Sequence, residues 1–378
     1  MKILIAPDSF KGSLTAGQVG QAIAAGVRKA LPESEIVIKP MADGGEGTLQ
    51  CLVDATDGKL LQATVKDPLG RDIPAQFGIL GDDVTCVIEM AAASGLYLIS
   101  EQERNPLFTT TYGFGQLIRA GLELGCRRFI LGIGGSATND GGAGMLQALG
   151  FQLLDHDGQP LAFGGGELSK LRRIDRTQAD PRLAECEFII ACDVKNPFIG
   201  PNGASHVFGP QKGATPEMVQ QLDSNLRHFA DLIEDTEGIA IHDLPGTGAA
   251  GGVAGTLLAF LQGQLQSGIQ IVKETTGLAE AMAGAELVFT GEGQVDFQTA
   301  EGKTPCGVAQ LAKEYGIPVI VLAGSIGKGI EALYAEGVTA VLSIANKPMP
   351  LDQSMQQAAE LLEQAAEQAT RIFACAKK

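Results

Sequence analysis

The stretch 132–144, GIGGSATNDGGAG, constrains this chain more than any other. Six of its thirteen residues are glycine, and most of the others are small or carry a hydroxyl, amide or carboxylate. The apolar run Phe129, Ile130, Leu131 before it reads as a buried strand, and MLQAL at 145–149 reads as helix. A glycine turn between strand and helix leaves backbone N–H groups free to face an anion, beside the positive end of the helix. The turn is therefore expected to hold a phosphate or carboxylate. Glycines alone fit a tight turn with no ligand equally well. Ser136, Thr138, Asn139 and Asp140 favour a site, because a purely structural turn rarely needs so many polar tips.

At 378 residues the chain exceeds the roughly 250–300 at which single cores stop growing, so two domains are expected. The formal net charge of −16 speaks against nucleic acid, whose binding needs a basic face. ATP needs only a few local cations and backbone amides. Seven cysteines without a CxxC spacing fit free thiols in a reducing cytosol, not a disulfide framework or zinc site. His156, His206, His228 and His242 are scattered and form no HxxxH or HExxH pair, which argues against a zinc hydrolase. The apolar run at 2–6 is too short for a signal peptide, and no run approaches the ~18 residues of a membrane span. A cytoplasmic protein with no membrane partner is expected.

Residues 2–6 read as a short buried strand, followed by the polar loop 7–13. Thr15 then reads as an N-cap with Gln18 completing a capping box. Val19, Ile23, Val27 and Ala30 recur at helical spacing. A second strand at 36–38 leads to MADGGEGT at 41–48 and a helix near 49–55. In open α/β sheets ligands bind beyond the carboxyl ends of strands, which is where both loops fall. After Gly58 the character changes to short strands at 61–66, 75–78 and 84–89, punctuated by Pro68, Leu69, Gly70 and Gly81, Asp82, Asp83. From residue 285 strand, loop and helix alternate again: a strand at 286–290, a turn at Gly291, Glu292, Gly293, a helix at 305–315, strands at 318–323 and 338–344, and a last helix from about Asp352. One α/β domain made of both chain ends, with a second inserted, accounts for this order.

Phosphoryl transfer needs cations to gather phosphate oxygens, carboxylates for a metal, and a group that orients or deprotonates the attacking hydroxyl. Lys11, Lys212 and Lys303 are the loop cations; Asp8, Asp43, Glu46, Asp140, Asp193, Glu292 and Asp296 are the carboxylates at strand ends. Gly302, Lys303 and Thr304 give the end of a P-loop pattern, but Phe297 stands where its first glycine belongs, so only phosphate contact is expected there. No histidine lies in these turns, and Ser–His–Asp chemistry is unsupported.

The motifs PDSFKGSL at 7–14, ADGGEGT at 42–48, IGGSATNDGGAG at 133–144, ACDVKNP at 191–197, FGPQKG at 208–213, GTGAAGG at 246–252, TGEGQVD at 290–296 and GKTPCGVA at 302–309 together resemble the bacterial type-1 glycerate kinases. The resemblance covers essentially the whole chain in order. It implies ATP-dependent phosphorylation of D-glycerate to 2-phosphoglycerate, with ADP released and Mg2+ required. It also implies an α/β fold of two domains: a Rossmann-like parallel-sheet domain from 1–60 with 270–378, and an inserted α/β domain with a mixed sheet at 61–269.

Residue roles follow as expectations. Lys11, Asp43 and Asp193 are the catalytic candidates, Asp43 or Asp193 taking the hydroxyl proton. Asp8, Ser9, Gly44, Gly45, Glu46, Gly134, Gly135, Ser136, Thr138, Asn139, Asp140 and Lys212 are expected to bind substrate at a cleft between the domains. Gly291, Glu292, Gly293, Lys303 and Thr304 are expected at the ATP phosphates, and Asp193 and Asp296 at Mg2+. Two other classes stay open. The GxGxxG match of Gly246, Gly248 and Gly251 fits a nicotinamide-dependent oxidoreductase. A non-catalytic two-domain solute-binding protein is the other, against which the missing signal peptide counts. The oligomeric state is not legible in the sequence.

Overall fold

The computed structural model describes residues 1–45 and 47–376. The chain divides into two compact units, Met1–Thr56 with Gly268–Lys378 and Asp57–Ser267. The first is called the chain-end unit and the second the inserted unit.

The chain-end unit starts with β1 (Lys2–Ile5), whose Ile3, Leu4 and Ile5 are fully buried, and the parallel β2 (Glu35–Ile38). The helix Ala16–Ala30 joins them. Its capping box is present: Thr15 Oγ1 accepts the Gln18 N–H at 3.3 Å, and Gln18 Oε1 accepts the Thr15 N–H at 2.9 Å. Val19, Ile23 and Val27 face the core at the predicted spacing.

In the inserted unit β3 (Lys59–Lys66) and β4 (Asp72–Ile79) form an antiparallel hairpin. Asp67 closes it by accepting the N–H groups of Leu69 and Arg71. Then follow β5 (Thr85–Glu89), β6 (Arg128–Gly132), β7 (Gln152–Leu154), β8 (Arg173–Asp175), β9 (Glu187–Ala191) and β10 (Gln264–Gln266). The main sheet has the order β10-β9-β6-β5-β4-β3. Its β10, β9, β6 and β5 are parallel and its β4 and β3 antiparallel, so it is mixed. Strands β7 and β8 pair separately.

The chain then returns to the first unit as β11 (Leu287–Val295), β12 (Val319–Ile326) and β13 (Val338–Ser343). The sheet order is β13-β12-β11-β1-β2, parallel throughout. From β1 the chain moves outward to β2 on one side; from β11 it moves to β12 and β13 on the other. The order reverses between β1 and β11, the position at which open α/β sheets form a ligand crevice.

Three local expectations are corrected. Gly291, Glu292 and Gly293 form no turn; they lie inside β11, with Gly291 opposite Leu322. A Cβ on Gly291 would lie 2.1 Å from the Leu322 carbonyl oxygen, so the glycine serves close strand pairing. No strand precedes the GxGxxG match at 246–251: the Ile241 carbonyl accepts the Thr247 hydroxyl at 3.0 Å in place of a ladder partner. Gly251 is pressed against the Thr138 carbonyl, where a Cβ would sit 2.2 Å away. The match therefore lacks the strand that a dinucleotide fingerprint requires. The last helix comes as two pieces, Leu351–Gln356 and Ala358–Ala376.

Candidate active site

Asp8 lies three residues beyond β1, and Glu292 lies in the neighbouring β11. Both line a cavity of about 520 Å³ in the chain-end unit, together with Ser9, Lys11, Asp43, Gly293 and Lys303. Residues assigned from sequence to the reacting hydroxyl, the substrate and the ATP phosphates thus meet around one space. Their orientation is fixed by short hydrogen bonds. Thr304 Oγ1 donates to Asp8 Oδ2 at 2.6 Å, and the Ser9 N–H donates to Asp8 Oδ1 at 2.6 Å. Thr299 Oγ1 donates to Glu292 Oε1 at 2.6 Å, and the Gly45 N–H donates to Asp43 Oδ1 at 3.0 Å.

Burial pushes the Asp8 carboxyl up to about 6; the Thr304 hydroxyl opposes this and the Asp43 carboxylate adds to it. Burial likewise pushes Glu292 up to about 7, with Thr299 and Lys303 pulling back and Asp8 and Asp43 pushing further. Two carboxyls poised near neutrality in a cavity with two lysines can exchange protons at physiological pH.

The other expected residues fall elsewhere. Gly44 and Gly45 form the bend after Asp43, Gly291 is buried in its strand, and Thr304 is hydrogen-bonded to Asp8. Glu46 lies outside the described residues. Asp296 caps the 3-10 turn Phe297–Glu301: its Oδ1 accepts the Gln298 N–H at 2.9 Å and its Oδ2 the Gln294 amide at 2.9 Å. Asp193 belongs to the inserted unit, exposed two residues beyond β9.

The glycine stretch 132–144 also lies in the inserted unit, and a carboxyl of its own occupies the turn. Asp140 is fully buried and accepts from the N–H and hydroxyl of Thr111 and from the N–H groups of Gly142 and Gly144. Two of these donors, the Gly142 and Gly144 N–H groups, are turn amides of the kind expected to face a phosphate or carboxylate. Burial raises the Asp140 carboxyl even against those four bonds. The helix that follows, Ala143–Ala148, is only six residues long. Lys212, also buried, donates to Ser136 Oγ at 2.9 Å and to the Thr138 carbonyl at 2.6 Å. Burial pulls its ammonium down to about 7, with Asp140 acting in the other direction. Asn139 Nδ2 donates to Ser205 Oγ at 2.9 Å. Among the described residues, Thr138 Oγ1 and Asn139 Oδ1 are buried with no partner. Gly134 and Gly135 are the exposed tip of the stretch.

Not legible as site residues in the sequence are Thr299, which holds Glu292, and the cavity-lining Ser325, Ile344, Leu351 and Met355. Thr299 carried a signal, because Asp296 and Thr299 stand at capping-box spacing. The apolar residues carried none, being indistinguishable in sequence from core.

No described helix is long and apolar enough to cross a membrane. A model of the glycerate kinase family matches residues 3–374. The chain is 51% identical to a glycerate kinase of Bacillus subtilis (strain 168), covering 97% of this chain and 96% of the relative. It is 49% identical to the glycerate 2-kinase of Escherichia coli (strain K12), covering 95% and 94%. A crystal structure from Salmonella typhimurium LT2, assigned to glycerate kinase 2, superposes with a TM-score of 0.93 at 46% identity, covering 100% of this chain and 99% of that one. With a family match over nearly the whole chain and kinases as its relatives, this chain belongs to the glycerate kinase family and is an enzyme that phosphorylates glycerate.

Proposed function

We propose that the enzyme transfers the γ-phosphoryl group of ATP to the 2-hydroxyl of D-glycerate, giving 2-phosphoglycerate and ADP. The observation that carries this reading is the placement of Asp8 and Glu292, with Lys11 and Lys303, at the reversal point of the parallel sheet. The 2-position is supported by the name of the Escherichia coli relative.

In this reaction the substrate oxygen bonds to the γ-phosphorus as the bond to the β–γ bridging oxygen breaks. The hydroxyl proton passes to a carboxylate. Asp8 is preferred for that role over Asp43 and Asp193, because its carboxyl near 6 is poised to accept a proton while Thr304 and Ser9 hold its plane. Lys11 and Lys303 gather charge on the phosphate oxygens. Lys303 is also the N-cap of the helix Thr304–Glu314, whose N-terminus favours an anion. Mg2+ belongs to the same proposal. Asp43 and Glu292 offer hard carboxylate oxygens of the kind it takes, alongside phosphate oxygens. Asp296, with one oxygen in the cap and the other taken by the Gln294 amide, suits it less well. Held by the Asp43 and Glu292 carboxylates, the ion would supply positive charge against the phosphate oxygens. Ser136, Thr138, Asn139 and Lys212 are kept as substrate-side candidates, Lys212 by holding the stretch that carries Gly134 and Gly135.

The test is a coupled ADP-release assay with D-glycerate, followed by phosphorus NMR of the product. ADP release and a phosphate ester on C2 are expected. An ester on C3, or no ADP release with ATP, overturns the assignment.

A further inference from the structure

The lining of the cavity in the chain-end unit is of two chemical kinds. Asp8, Lys11, Glu292 and Lys303 are charged; Ile344, Leu351 and Met355 are apolar. The apolar part draws on the carboxyl edge of β12 and β13. Ser325 belongs to β12, and Ile344 follows β13 directly, its N–H donating to the Ala323 carbonyl at 2.9 Å. Leu351 and Met355 stand four residues apart on the helix Leu351–Gln356 and so share a face. That helix is tied to the loop carrying Lys11, because Ser13 Oγ donates to the Met355 carbonyl at 2.6 Å.

Leu351 is 73% exposed, the highest value among the large apolar side chains described. A single exposed leucine means little by itself. This one lines a cavity that also presents charged side chains and whose volume, about 520 Å³, falls in the range that holds a drug-sized ligand. Glycerate, a three-carbon anion with two hydroxyls, has no apolar surface to bury there. A flat, uncharged heteroaromatic ring does.

We propose that Ile344, Leu351 and Met355 seat the purine base of ATP. The triphosphate then runs along the carboxyl edge of β12 to Lys303 and Lys11 beside β1 and β11. The base is recognised mainly by dispersion and burial on these side chains. This inference rests on the proposed use of ATP.

The test is calorimetric titration of the full chain, wild type and Leu351→Ser, with ADP and separately with inorganic tripolyphosphate. Leu351 is exposed, so the substitution leaves Tm within about 2 °C. Leu351→Ser is expected to weaken ADP about tenfold and to leave tripolyphosphate unchanged, while Leu351→Phe binds ADP at least as tightly as wild type. Equal ADP affinity in wild type and Leu351→Ser overturns the base seat, as does an equal loss for ADP and tripolyphosphate. A wild type that binds tripolyphosphate but not ADP, and turns over no ATP, overturns the nucleotide reading itself.

Discussion

Thr304 donates its hydroxyl to Asp8 Oδ2 at 2.6 Å, joining two residues 296 positions apart in the chain. Thr304 is fully buried at the first turn of its helix, and Asp8 follows the first strand. Two motifs at opposite ends of the sequence therefore converge on one carboxylate. A hydrogen bond to a charged group contributes about 1.5–3 kcal/mol. If Asp8 takes the substrate proton, its plane must be held, and Thr304 holds it. Thr304→Val is expected to lower kcat/KM by about tenfold to a hundredfold, and Thr304→Ser to stay within about threefold of wild type. Wild-type rates in the valine variant would contradict the role.

Glu292 couples stability to pH. Its folded carboxyl sits near 7, above its ordinary 4.5. Between those values the folded chain holds more protons than the unfolded one, so this group's contribution to stability falls as pH rises from about 4.5 to about 7. Glu292→Gln removes that cost while keeping an acceptor for Thr299. In metal-free protein its Tm should exceed the wild-type value by about 2 °C or more at pH 8, with the gap closing toward pH 5. A constant gap across this range would be evidence against the buried carboxylate.

Lys212 has the opposite dependence. Its folded ammonium sits near 7, below its ordinary 10.5, so the unfolded chain binds more protons in between. Its contribution to stability grows as pH rises from about 7 toward 10. Denaturant titrations of wild type and Lys212→Met should therefore diverge in favour of wild type across that window. Parallel curves would mean that the ammonium is not desolvated.

Asp140 is expected to matter for folding more than for substrate. Its removal leaves four donors, from Thr111, Gly142 and Gly144, without an acceptor. Asp140→Ala should lose about 3 kcal/mol or more in urea unfolding. A loss below about 1 kcal/mol would return the glycine stretch to its first reading, as a cradle for an external anion.

Much of the architecture is legible in the sequence because it rests on local chemistry. Thr15 and Gln18 announce a helix start, and the structure contains that capping box. The run at 2–5 and the helix spacing of Val19, Ile23 and Val27 specify their own burial. What the sequence hides depends on partners distant in the chain. Glycine looks the same in a turn and in a tight strand pair, so Gly291 reads as a turn until Leu322 is seen beside it. An aspartate among glycines looks like a ligand contact, and only the position of Thr111 shows that Asp140 fills its own turn. The burial of Asp8 and Glu292 beside Asp43, which raises the proton affinity of both, likewise needs the sheet order.

Phosphoryl transfer to glycerate with Asp8 as the proton acceptor stands or falls with the steady-state kinetics of Asp8→Asn at saturating ATP, Mg2+ and D-glycerate, in protein whose circular dichroism matches wild type. Asparagine keeps the shape, its Oδ1 accepting from the Ser9 N–H and its Nδ2 donating to Thr304 Oγ1, but cannot take the proton. With Asp8 as the acceptor, kcat falls by about a hundredfold or more; a kcat within about threefold of wild type would rule Asp8 out.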